Sequence, residues 1–400
     1  MRMKLNKSSQ LVLVSAASLL AALLITACAT LTVDFVYVTC AKAAGPNNYG
    51  EVDVFEVNSM SGKMRQIPTS PFFSGGRNPV AEAVSADDTT LYVVNQDDNT
   101  IVQFAIGSDG KLYPQNTINT PGVFPLGVAV SGKHLFVVDL YQPLPICSTA
   151  SPCSGSVAVF PIKSDDSLDK AVANPSINAS YWPLNLPGSP SDVIVPTAIT
   201  VTGSGSLVYI SAYDATAGGG YVFGFSINSD GTLASLNSGL PFSVGAHPTA
   251  ITSDAGGNYL YVADSLRSVV YGYHINAGLL TPLSGSPYAS GSAPSAVAVD
   301  TTGKFAYVAN AQDSNVTAYT INAGNLSPVG VYTTGVQPVA IGIDPSLNEY
   351  LYTANFLGDT VSGFQINMTN GTLLNSQFSP YKANALPTAV AAIPHGSMKK

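Results

Sequence analysis

The sequence predicts an all-β fold, a seven-bladed β-propeller with four-stranded blades, and three observations carry that prediction. Four short apolar or aromatic elements recur in one fixed order, each seven times. Their spacing of about 45 to 55 residues is the period of propeller blades. The chain begins and ends inside the same repeat, in different elements of it. Composition agrees: only 10% of residues are charged and 46% are hydrophobic, with 36 Gly, 27 Pro and 20 Tyr. That leaves too little Lys, Glu and Arg for helical solvent faces, while Tyr, Val, Thr and Gly suit strands joined by tight turns.

The first element is a Pro followed two residues later by Ala or Gly and then an apolar run: Pro79/Ala81, Pro125/Gly127, Pro196/Ala198, Pro248/Ala250, Pro294/Ala296, Pro338/Ala340 and Pro387/Ala389. This is the inner strand. Proline is tolerated at a strand's first residue, and the small residue keeps seven strands from colliding where they converge on the axis. The second strand carries an aromatic between apolar neighbours, at Tyr37, Tyr92, Phe136, Tyr209, Tyr261, Tyr307 and Tyr352, where the wedge between blades widens and an aromatic buries the most area. Five copies end on Asn or Asp: Asn95, Asp139, Asp264, Asn310 and Asn355. The third strand reads aliphatic, aromatic, aliphatic, as in Ile101/Phe104/Ile106 and Val316/Tyr319/Ile321. A turn and a Leu or Met open the outer strand, as in Asp109-Gly110-Lys111-Leu112.

The predicted propeller spans 36–393. It begins on a second strand and finishes on an inner one, so pairing the two ends completes a blade and leaves no open edge. A solenoid would keep its ends apart and need capping repeats. The third blade departs from the pattern. Residues 163–195 form an insertion with Tyr181 and the single Trp, Trp182, which reads either as a stacking platform for a ligand or as a pin holding the insertion down. Residues 394–400 form a short tail.

Residues 1–27 read as an export signal: basic Arg2, Lys4 and Lys7, then an apolar stretch from Leu11 to Ile25 that is short for a membrane span. It ends Leu24-Ile25-Thr26-Ala27-Cys28, which resembles a bacterial lipobox. The resemblance implies cleavage after Ala27, acylation of Cys28, and residues 28–35 as a lipidated tether. The alternative is an ordinary signal cut after Ala-x-Ala at Ala27 to Ala29. No Asp follows Cys28 to hold the protein on the inner membrane, so the expected address is the outer membrane of a bacterial envelope. Without the three basic residues of the signal, 13 of the 16 Lys and Arg remain against 24 Asp and Glu, a balance that excludes nucleic acid as a partner. In an oxidising compartment, Cys147 and Cys153 are expected to form a short disulfide. Cys40 is left as a small buried residue.

Strand alternation puts the loops entering the inner strands and the loops joining second to third strands on one face. Arg77, His247 and Gln337 are polar residues near the axis there, with Asn78, Tyr213, Asp214 and Asp313 close by. Arg77 and His247 are the candidate catalytic pair, because Arg can neutralise an oxyanion and His can activate water. Gln337, Asn78, Tyr213, Asp214, Asp313 and Trp182 are candidate ligand contacts. Arg77 also has nearby carboxylates to pair with. The four histidines show no metal spacing, and Gly218-Gly219-Gly220 lacks the Lys and helix of a phosphate loop, so no metal or cofactor is expected.

The Leu-Tyr-Val-Ala-Asn copies and Asp-Gly-x-Leu turns resemble the YVTN-repeat and lactonase-type propellers, the group that includes bacterial 6-phosphogluconolactonase. The likeness covers roughly 36–393 and rests on scaffold residues. It implies lactone hydrolysis by an Arg-His pair directly after a Gly-Pro that enters an inner strand. Here the residues after the seven prolines are Val80, Leu126, Thr197, Thr249, Ser295, Val339 and Thr388. The expectation is therefore a monomeric, membrane-anchored propeller binding a glycan, small molecule or protein at its loop face. The alternatives are a sugar-lactone hydrolase or a surface-layer or adhesion module.

Overall fold

The computed structural model describes residues 32–43 and 46–395; the export signal, Cys28 and the last residues of the tail lie outside them. Seven antiparallel sheets form, each ordered inner, second, third, outer. Blade 1 consists of Pro387–Pro394, Thr32–Cys40, Glu51–Asn58 and Met64–Gln66. Blades 2 to 7 begin with the inner strands Pro79–Val84, Val123–Ser131, Ile194–Val201, Pro248–Ser253, Pro294–Val299 and Pro338–Ile343. Every inner strand packs on its two neighbours, and that of blade 1 packs on those of blades 7 and 2, closing the ring. The closure is the pairing of chain ends, with Tyr37 opposite Ala391. The first strand starts at Thr32, so part of the expected tether is already sheet.

Each inner strand carries a bulge at the residue after its proline. The register slips between Pro79 and Ala81 and at the same place in the six other blades. The extra residue lets a strand that starts on a buried proline bend onto its partner. Thr249 Oγ1 donates to the carbonyl of Pro294 in the next blade (2.6 Å), Ser295 Oγ to that of Pro338 (2.6 Å) and Thr388 Oγ1 to that of Pro79 (3.0 Å). The hydroxyls at these positions stitch blade to blade around the axis.

The second-strand aromatics explain their own preference for Tyr. Tyr37, Tyr92, Tyr209, Tyr261 and Tyr307 are fully buried, and each hydroxyl donates to a backbone carbonyl in the outer hairpin of the following blade: Gly110, Asp166, Gly278, Gly324 and Gly371. Tyr352 donates instead to Asp34 at the closing seam. Removing one hydroxyl strands a buried carbonyl. Tyr261→Phe is therefore expected to lower the unfolding free energy by about 1–2 kcal/mol, read as a shift in the denaturant midpoint without a change in slope.

The insertion of blade 3 turns out to supply that blade's outer strand. Trp182–Pro183 pairs with Val157 and Ser156, and Val172 N bonds the carbonyl of Val159. Trp182 is 6% exposed in the core between blades 3 and 4, its indole N–H donating to the carbonyl of Leu233 (3.1 Å). A stacking platform needs an exposed ring, so Trp182 pins the insertion. Cys147 and Cys153 form a disulfide across the neighbouring loop, and Cys40 is a buried free thiol.

Candidate functional site

The loop face is built from one latch repeated around the ring. A glycine three residues before the proline lies flat against the Asn or Asp that ends the second strand: Gly76 on Asn95, Gly122 on Asp139, Gly245 on Asp264, Gly291 on Asn310 and Gly335 on Asn355. A Cβ at any of them would overlap that side chain. In blade 5 the Asp264 carboxylate accepts the amides of Ala246 and His247 on one oxygen and those of Leu266 and Arg267 on the other. One carboxylate thus fixes both loops of the blade. The residue before the proline is left-handed in five blades, at Asn78, Phe124, Ala293, Gln337 and Leu386, with φ between 51° and 61°.

Most of the polar residues singled out from sequence belong to this scaffolding. Arg77 Nε and an Nη both donate to Asp98 Oδ1 (2.7 and 2.5 Å), and Asp98 Oδ2 accepts the Arg77 amide (2.7 Å). Burial alone would raise the Asp98 carboxyl, but the Arg77 guanidinium outweighs it and holds it below the usual carboxylate range. Asn78 donates to Gln96 and Asp97. Asp313 accepts the Ser292 amide (2.7 Å), the counterpart of Asp98 on Arg77. Asp214 caps its turn through the amides of Thr216 and Ala217, leaving Oδ2 buried with no partner. Gln337 also has a buried, unpartnered Oε1.

Tyr213 and His247 are different. The two half-buried rings stack across blades 4 and 5 with centroids 4.2 Å apart at 30°. His247 Nδ1 lies 3.2 Å from Ser265 Oγ, which orients the ring and leaves Nε2 as its other polar edge. Arg77 does not join them. It sits in blade 2, three blades from His247, and the two share no bonding partner among the described residues.

One residue escaped the sequence reading. Glu82 is the single charged residue on the seven inner strands. It occupies the third position after the proline, where the other blades carry Val128, Ile199, Ile251, Val297, Ile341 and Val390. The residue keeps partial exposure, yet its Oε1 is sealed from solvent without a partner, while the other oxygen accepts the Thr39 hydroxyl (2.6 Å). Burial pushes the carboxyl up to about 7, against the lowering effect of Thr39 and of a backbone bond from Ala391. The signal was available: a carboxylate standing where every other copy is aliphatic.

A cavity of about 700 Å³ lies on the opposite face, away from the expected loops, between the hairpins of blades 3 and 4. Ser131, Lys133, His134, Thr202, Ser204 and Asn228 are among its lining residues. A smaller one of about 240 Å³ sits beside the disulfide loop on the loop face.

A family model described as "Lactonase, 7-bladed beta-propeller" matches residues 35–180 and 264–390. No curated protein matches the chain in sequence at a significant level. Solved structures match the fold. A proposed 6-phosphogluconolactonase from Bacteroides fragilis is 19% identical, covering 91% of this chain and 99% of its own, with a TM-score of 0.70. The periplasmic gluconolactonase of Pseudomonas aeruginosa is 17% identical, covering 90% and 99%, also at 0.70. The hydrazine synthase of Kuenenia stuttgartiensis shares the shape at 0.54 with 16% identity, covering 82% and 96%. One shape thus serves unrelated chemistries, so the site has to decide.

Proposed function

The chain belongs to the lactonase family of seven-bladed β-propellers, and from that premise we propose that it is an envelope-tethered member binding a small polar ligand at its loop-face mouth without hydrolysing it. The observation that carries this reading is the separation of Arg77 from His247. Arg77, the cation of the candidate pair, is neutralised by Asp98 and lies three blades from the imidazole that would activate water. Catalytic groups must reach one substrate in a near-attack geometry. The positions after the prolines hold aliphatic side chains or hydroxyls, four of which are bonded to backbone carbonyls. The half-buried Tyr213–His247 stack suits a ligand with a flat or sugar-like side. An envelope address follows from the lipobox-like Cys28 and agrees with the periplasmic location of the Pseudomonas structure.

The test is a glycan array and a lactone panel run on the protein with His247→Ala and Tyr213→Ala beside it. Expected are saturable binding weakened about tenfold or more by either variant and lactone turnover no faster than buffer. Robust hydrolysis abolished by His247→Ala would overturn the reading. One observation favours a second reading, lactone hydrolysis: Glu82 is a partly exposed carboxylate on an inner strand at a position aliphatic in the six other blades, and burial raises it toward the range of a general base. Turnover that rises through pH 7 and vanishes in Glu82→Gln would establish it.

A further inference from the structure

We propose that one corner of the propeller, Met60, Lys63 and Arg65 of blade 1 with Phe378 of blade 7, rests on the lipid bilayer and holds the Tyr213–His247 mouth away from it. The inference rests on acylation of Cys28. From Cys28 to Thr32 is four residue steps, which span at most about 14 Å even fully extended. An acylated cysteine sits at the headgroup level, so Thr32 is tied within that distance of the surface. Thr32 pairs with Asn58, and Met60, two residues on, is 90% exposed.

Phe378 reaches the same place from blade 7. It is 69% exposed, its neighbour Gln377 bonds the carbonyl of Ser61, and Lys63 Nζ lies 5.0 Å from its ring centroid. Thr32, Lys63 and Arg65 line one hollow of about 190 Å³. Two apolar side chains beside Lys63 are the pattern of an interfacial anchor, the apolar groups entering the headgroup boundary and the ammonium meeting anionic lipid, while Arg65, paired with Glu56 (2.5 Å), contributes its stem. The orientation follows from the strand. Thr32–Cys40 runs from this corner to the loop face, where Cys40 pairs with Pro387. Eight steps at about 3.3 Å put the loop face up to roughly 26 Å further from the surface than Thr32.

The experiment uses the full acylated chain in vesicles of phosphatidylethanolamine and phosphatidylglycerol. Spin labels are placed at Met60→Cys or, on the loop face of blade 5, at Leu266→Cys, and mass spectrometry reports the acyl chains on Cys28. Expected is access of a water-soluble nickel relaxant to the label at 60 about threefold or more below that at 266, with access of membrane-dissolved oxygen reversed. Met60→Ser combined with Phe378→Ser and Lys63→Glu leaves acylation intact and is expected to loosen the corner, equalising access for a label at neighbouring Ser59→Cys and at 266. Acylated protein with equal access at 60 and 266, or with 266 the more protected, overturns this inference alone. A mature chain without acyl mass on Cys28 overturns the tether and the inference together.

Discussion

Alanine at Gly245 is expected to lower the unfolding free energy by about 3 kcal/mol or more, and to loosen His247 from Tyr213 in the molecules that remain folded. Two costs combine. Gly245 has φ +52°, where an L side chain is strained by about 1 kcal/mol. Its Cβ would also fall on Asp264 Oδ2, the oxygen that accepts the amides of Ala246 and His247, with the Tyr271 ring 2.8 Å away. Displacing that carboxylate unfastens buried charge-assisted hydrogen bonds on both loops of the blade. Gly303→Ala separates the costs, because Gly303 has φ +68° but open space around its Cβ position. The control is expected to lose only about 1 kcal/mol. Denaturant unfolding of both variants checks the difference. Equal losses would mean that the latch contributes nothing beyond backbone strain.

Repetition explains what could be read in advance. The four-element repeat was legible because each element answers a local demand that recurs seven times: a proline that needs no donor, a small residue at the axis, an aromatic in the wedge. Averaging over seven copies removes the noise that defeats single-strand prediction, and closure followed from the ends. The outer strand of blade 3 was not legible. It is two residues long and set by pairing across a long loop, so from sequence Trp182 read as either a stacking platform or a pin on an insertion, and the folded blade makes it the pin.

Site residues were harder for a different reason. Arg77, Asn78 and Asp313 are polar and near the mouth, which sequence can show. That their hydrogen bonds are spent on amides and carboxylates of the adjoining loop depends on which turn meets which, and that is a tertiary fact. Tyr213 and His247 stand 34 positions apart in neighbouring blades, so only the folded ring brings them into contact. Glu82 is the reverse case: the sequence shows a carboxylate where the six other inner strands are aliphatic, but only the fold shows one of its oxygens sealed from solvent without a partner.

Glu82→Val, which installs the residue type of the other six blades, is expected to stabilise the protein by about 2 kcal/mol at pH 8. In the folded state the carboxyl is pushed up to about 7 from an ordinary 4.5. Below pH 4.5 it is protonated in both states and costs nothing. Between 4.5 and 7 the unfolded chain ionises while the folded one does not, so stability falls with rising pH, by about 3 kcal/mol once above 7. Valine removes that loss and fills the wedge facing blade 1, while the Thr39 hydroxyl forfeits its acceptor at about 1 kcal/mol. Asp34 and Asp139, both pushed up to about 8 by burial, titrate higher. The variant should therefore lose one proton's share of the decline between 4.5 and 7, about 1.4 kcal/mol per pH unit, and keep the share of Asp34 and Asp139, which runs from 3.8 to about 8. Denaturant midpoints from pH 4.5 to 8.5 read this directly, and an unchanged slope between 4.5 and 7 would show that the carboxyl is ionised in the folded protein. A buried acid retained at that cost on the axis needs a use, and the ligand and lactone assays repeated on the stabilised variant would find it: stability gained together with binding or turnover lost is the signature of a residue kept for function.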